Sequence, residues 1–211
     1  MQIISHSFQN GQAIPGEFAF AVPDAAAHVA LSSNRNPHLA WSDVPAGTQS
    51  FVIVCHDPDV PSRGDDVNQE GREVPADLPR VDFFHWLLLD IPADTTQIPA
   101  GAHSSGVTPR GKPGPLAADG LRHGINDYTA WFAGDEQMKG DYYGYDGPCP
   151  PWNDTLVHRY IFTVYALAVP RLDVTGPLTG ANVRAALASA PVLGQASLTG
   201  LYRLNPAVPL A

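Results

Sequence analysis

The sequence predicts an all-β fold, an antiparallel two-sheet β-sandwich with long loops and one late C-terminal helix, on three observations. Its 21 prolines and 19 glycines fall between apolar runs and form no tract, so they cut the chain into short strands and turns. Two runs, Ser50 to Asp57 and Phe83 to Ile91, are apolar in both phases of a strand, as central strands covered on both faces must be. Only Thr179 to Ala190, with Val183, Leu187 and Ala190 at helical spacing, reads as a helix. With 44% hydrophobic residues in a chain of 211, one well-buried core is affordable, and residues 1–211 are expected to form a single domain.

In chain order, Gln2 to Phe8 reads as an edge strand before a turn at Asn10-Gly11, and Phe18 to Val22 as a second strand stopped by Pro23. Leu39 and Trp41 alternate with smaller residues, the mark of a half-buried strand. The central run from Ser50 is expected to end at Asp57, because Pro58 and Pro61 cannot donate to a ladder. Asp57 and Asp59 are then presented on a stiff loop. Ser62 to Val81 is polar and without period, a surface loop, and Ala100 to Asp146 carries enough aromatic residues to be an ordered excursion with a helical turn. Pro148, Pro150 and Pro151 stiffen the approach to an aromatic, β-branched strand from Tyr160 to Leu167, and His158 stands at that junction. After the helix, Ala196 to Tyr202 returns as the last strand. Trp41, Phe51, Ile53, Leu87, Leu88, Phe162 and Val164 are the expected core.

A formal net charge of -9 argues against unaided nucleic-acid binding, which rests on excess Lys and Arg. The first residues lack a basic segment followed by an apolar one, and no apolar run approaches the roughly 20 residues of a spanning helix. The expectation is therefore a cytoplasmic chain with no transmembrane segment, and with Cys55 and Cys149 as free thiols.

Chemistry-bearing residues gather at three strand ends: Asp57 with Asp59, His85 inside its apolar run, and His158 to Tyr160. Taken singly, each has an ordinary structural role as turn or hydrogen-bonded core residue. Together, two imidazoles and a carboxylate can hold a small anion through a shared proton. A two-histidine, one-carboxylate metal site is the rival use of the same residues, but no closely spaced His pair or H-E-x-x-H run accompanies them. A serine or cysteine hydrolase would need a nucleophile elbow, and Ser42, Ser62 and Cys149 lie in none. Arg159 should point away from the face shared by His158 and Tyr160. His28 is placed in a loop elsewhere.

Asp57-Pro58-Asp59-Val60-Pro61, His85-Trp86, Gly147-Pro148-Cys149-Pro150-Pro151 and His158-Arg159-Tyr160 look like the signature segments of the phosphatidylethanolamine-binding protein family. The likeness is strongest to its bacterial, Raf-kinase-inhibitor-like branch. Asn36 to Trp41 and Ala196 to Tyr202 extend it over nearly the whole chain. The resemblance implies a two-sheet sandwich with a pocket at one end that accepts phosphate, acetate or a phosphoethanolamine-like head group, without catalysis and without a cofactor or metal. It places Asp57, His85 and His158 on the pocket lining, Asp59 and Tyr160 beside them, and Gly147, Pro150 and Pro151 in the wall. It also implies homodimerisation, which no residue pattern here supports independently. The alternative it carries is an interaction protein that inhibits a kinase or protease through the pocket rim and the 100–146 excursion. Both long loops exceed those of compact bacterial members.

Overall fold

In the computed structural model, which describes residues 1–210, the elements run β1 (Gln2–Ile4), β2 (Ala21–Asp24), β3 (His28–Leu31), β4 (Leu39–Ser42), β5 (Ser50–Pro61), β6 (Arg80–Pro92), β7 (Gln97–Ile98), β8 (Arg122–His123), α1 (Tyr128–Trp131), β9 (His158–Leu167), α2 (Gly180–Ser189) and β10 (Val192–Tyr202). The three long apolar strands lie side by side at the centre of a five-stranded antiparallel sheet of order β10-β9-β5-β6-β8. A three-stranded sheet, β1-β4-β7, and a β2-β3 hairpin complete the strands.

Strand alternation sends side chains to two cores. On one face, Phe51, Ile53, Cys55, Phe162 and Val164 pack with Leu39, Trp41 and Ile98 of the smaller sheet. On the other, Val52, Val54, Leu87 and Leu89 pack under Val183 and Leu187 of α2. Being covered on both sides explains why β5 and β6 carry no polar alternation. All seven expected core residues are buried, and the helix falls where its spacing placed it, with the Thr179 hydroxyl accepting from the Asn182 N–H at its start.

The boundaries differ in instructive ways. β5 does not stop at Asp57 but continues to Pro61, and β6 begins at Arg80, inside the stretch expected to be loop. The first strand is only Gln2–Ile4, Phe18 belongs to a 3-10 turn ahead of β2, and β10 starts at Val192. The 100–146 excursion is ordered around β8 and the short α1. Cys55 and Cys149 are both free.

Candidate functional site

Two β-bulges set the site. Asp57 lies opposite Phe83 and Val60 opposite Val81, so β5 carries one extra residue at Pro58-Asp59. A proline, having no N–H, is tolerated where the ladder is already interrupted, and this is how the strand passes through Asp57-Pro58-Asp59. The Asp57 carboxylate secures the bend by accepting the Asp59 N–H at 2.8 Å. In β6, Cys55 faces Trp86 while His56 faces Phe84, leaving His85 as the unpaired residue. The bulge turns His85 towards Tyr160 and Tyr128, whose ring centroids lie 5.0 and 5.6 Å from its own. Simple alternation would have sent it to the other core.

Behind these residues runs a buried charge chain. His158 Nδ1 lies 2.7 Å from Asp57 Oδ2, and His158 Nε2 lies 3.0 Å from Asp154 Oδ2. Arg80 then grips Asp154 with two bonds of 2.6 and 3.1 Å. Burial opposes a charge on His158, but the hydrogen bonds to Asp154 and Asp57 prevail and raise its pKa to about 9. The ring is therefore an imidazolium at neutral pH, donating through both nitrogens, with no lone pair to offer a cation. Two carboxylates, an imidazolium and a guanidinium leave the chain neutral overall.

A cavity of about 370 Å³ opens in front. Its deep end is formed by Asp57, His85 and Tyr160, all nearly inaccessible, and its walls by Phe83, Tyr128, Phe132, Cys149, Pro150 and Pro151. Leu31 and Trp131, 67% and 52% exposed, stand at the mouth. His85 Nδ1 donates to the Asp146 carbonyl at 2.8 Å. Because a carbonyl can only accept, the neutral ring has a bare Nε2. Burial keeps it neutral by lowering its pKa, against the pull of Asp57. Asp146 is itself immobilised by Asn34, Asn126 and Lys112, at 2.8, 2.7 and 2.8 Å. The Tyr160 hydroxyl is buried beside the Asp57 carboxylate and makes no hydrogen bond of normal geometry in the protein. Burial, reinforced by Asp57, holds its pKa well above the usual phenol range, so it stays an O–H donor.

Of the residues singled out in the sequence, Asp57, His85, Pro150, Pro151 and Tyr160 line this cavity, while His158, Asp59 and Gly147 do not. His158 sits one layer back, holding Asp57. Asp59 is engaged by Arg159, whose backbone N–H, Nε and Nη2 reach it at 2.9, 2.9 and 2.7 Å on the far face of β9. The carbonyl of Gly147 accepts the Tyr128 hydroxyl at 2.7 Å, and a Cβ there would come within 2.2 Å of the Phe18 carbonyl oxygen, so its role is close packing. His28 is not in a loop elsewhere: it opens β3, stacks on Trp152 at 3.8 Å and meets Glu70 at 2.6 Å, next to the cavity-lining Val29. Asp154, Arg80 and Asp146 escaped the sequence reading. The one available signal was the spacing of four between Asp154 and His158, which means little outside a helix.

The loop 62–79 is part of the mouth through Ser62, Arg63, Gly64, Val67 and Asn68. It is pinned from within by Asn153, whose amide nitrogen donates to the carbonyls of Asp66, Arg72 and Gln69 at 2.8, 3.0 and 3.3 Å. The Asn153 side-chain oxygen accepts the Asn68 N–H at 2.9 Å.

The fold agrees with that of the chain's relatives. The profile of the family described as phosphatidylethanolamine-binding protein matches residues 4–203. The UPF0098 protein YbhB of Escherichia coli K12 is 34% identical over 197 residues, covering 91% of this chain and 97% of that protein. A UPF0098 protein of Aquifex aeolicus is 30% identical over 203 residues, covering 96% and 88%. The crystal structure of Escherichia coli YbcL, described as a new member of the mammalian PEBP family, superposes with a TM-score of 0.67 at 26% identity over 96% of this chain and 97% of that one. The match runs through every strand that builds the cavity, and the chain belongs to the phosphatidylethanolamine-binding protein family.

Proposed function

We propose that the cavity binds a small oxyanion, such as phosphate, acetate or a phosphoethanolamine-like head group, and that the protein acts by binding and not by catalysis. The observation that carries this reading is the Tyr160 hydroxyl: a buried donor with no well-formed hydrogen bond in the protein, set beside the Asp57 carboxylate on the wall shared with His85. An unpaired buried hydroxyl costs free energy unless a ligand satisfies it. The absence of catalysis is supported by the state of the nucleophile and base candidates. Burial pushes the Cys149 thiol up to about 12, far from a reactive thiolate, and both ring nitrogens of His158 are occupied. A second reading, docking of a protein target such as a kinase or protease, is favoured by the exposed Leu31 and Trp131 at the mouth. The two uses are compatible, since a ligand inside leaves the rim free.

The test is a titration of isotopically labelled protein with inorganic phosphate and with phosphoethanolamine, followed by amide NMR. Shifts concentrated at Asp57, His85, Cys149 and Tyr160 are expected. Shifts scattered over surface lysines and arginines, with these four unmoved, would refute the site.

A further inference from the structure

We propose that the cavity binds oxyanions in a form that carries a P–OH, and so selects hydrogen phosphate and phosphomonoesters, which hold or can take up a proton near neutral pH, over tetrahedral anions that cannot, such as sulfate and phosphodiesters. The inference rests on the reading of the cavity as an oxyanion site and adds the rule by which it discriminates.

The rule follows from counting donors and acceptors at the deep end. Tyr160 supplies one O–H, set against the Asp57 carboxylate without a hydrogen bond of normal geometry. Asp57 is a carboxylate with His158 and the Asp59 N–H on its protein side, and it can only accept. His85 donates its one proton to the Asp146 carbonyl, so its Nε2 is an acceptor too. No lysine lines the cavity, and Arg63, its one cation, is exposed on the rim with its guanidinium 3.6 Å from Asp65.

The charged and titratable groups around His85 come from every neighbouring element: Asp57 on β5, His158 and Tyr160 on β9, Tyr128 on α1 and Asp146 on the segment before β9. Of these, His158 directs both its protons at Asp57 and Asp154, and the Tyr128 hydroxyl donates to Gly147. At most one donor, the Tyr160 O–H, and two acceptors therefore face the ligand. A proton-free anion can use the Tyr160 bond, but it sets its own lone pairs against Asp57 and His85, an arrangement that costs far more buried than in water. A ligand bearing P–OH turns one of those clashes into a charge-assisted hydrogen bond. Its remaining charge meets a network that is already neutral, Asp57–His158–Asp154–Arg80.

The proton follows directly. Phosphomonoesters lose their second proton near pH 6, so above that pH the ligand must take one up on binding.

The test is calorimetry at pH 7.5 with inorganic phosphate, phosphoethanolamine, sulfate and dimethyl phosphate, each in two buffers of different ionisation enthalpy. Phosphoethanolamine should bind with uptake of close to one proton, inorganic phosphate, which as hydrogen phosphate already carries a P–OH, with clearly less, and sulfate and dimethyl phosphate about 10- to 100-fold more weakly, the worth of one charge-assisted hydrogen bond. Asp57→Asn, which presents an amide donor where the carboxylate stood, should remove most of the preference. If that variant does not fold, the proton count on the native protein decides alone. Equal affinity for sulfate and phosphate, or binding of phosphoethanolamine without proton uptake, overturns the selectivity while leaving the oxyanion site standing. Failure of all four anions to bind overturns the site itself.

Discussion

His158 shows how a residue can be central to a site without touching what the site holds. Its two carboxylate partners make it an imidazolium with a pKa of about 9, well above the 6.5 of an unfolded histidine. A base whose folded pKa is raised contributes stability that is complete below pH 6.5 and lost as pH climbs through 9. The contribution is on the order of 3 kcal/mol for a shift of this size. Histidine-selective NMR should show both ring nitrogens of His158 protonated at pH 8, and a neutral ring there would contradict the charge chain. In the sequence, the meeting of Asp57, His85 and His158 was legible as three strand ends with polar residues at each. What was not legible was the order of layers, because only coordinates reveal that Asp154 and Arg80 occupy the back of His158 and push Asp57 forward.

Among the elements, the long central strands were readable because both faces are apolar, the end of β5 was misread because a bulge carries it past Pro58, and the short β2 and β3, exposed along much of their length, gave no such signal. Pro58 looked like a terminus because proline cannot continue a ladder, yet a bulge is the place in a strand where it can sit. The same device at His85 gives a polar residue on the core-facing side, which alternation alone cannot foresee. Loops are opaque for a different reason: the shape of 62–79 is dictated by Asn153, more than 70 residues on. Asn153→Ala should cost about 1 kcal/mol or somewhat more, the net worth of the part-buried hydrogen bonds it removes, and should make the bonds after Arg63 and Arg72 sensitive to trypsin. Native resistance in the variant would show that the loop holds itself. At α2, Gly180 lies against Phe84, and a Cβ would meet that ring at 2.1 Å. Gly180→Ala, which normally favours a helix, should therefore lower stability by about 1–3 kcal/mol through overpacking. An unchanged urea midpoint would mean that the ring can move aside.

The whole molecule carries opposed titrations that define a stability maximum. Burial lowers the pKa of His56, His85 and His103, and that of His123 to about 3. Each of these histidines binds a proton on unfolding that it refuses when folded, so stability falls as pH drops below 6.5, by up to about 1.4 kcal/mol per pH unit per group. His158 acts in the other direction above 6.5. Urea midpoints between pH 4 and 10 should peak between about pH 6.5 and 7.5, whereas a flat profile would mean that these rings are not in the environments described. Whether a ligand completes the cavity is measured most directly by comparing Tyr160→Phe with the native protein. Removing a buried hydroxyl that makes no well-formed hydrogen bond in the protein should leave the urea midpoint unchanged or raised, while phosphate affinity by calorimetry falls about 10-fold or more, the loss of a hydrogen bond to a charged group. Equal phosphate affinity in the two proteins, or a variant that loses stability without losing affinity, would contradict the oxyanion site.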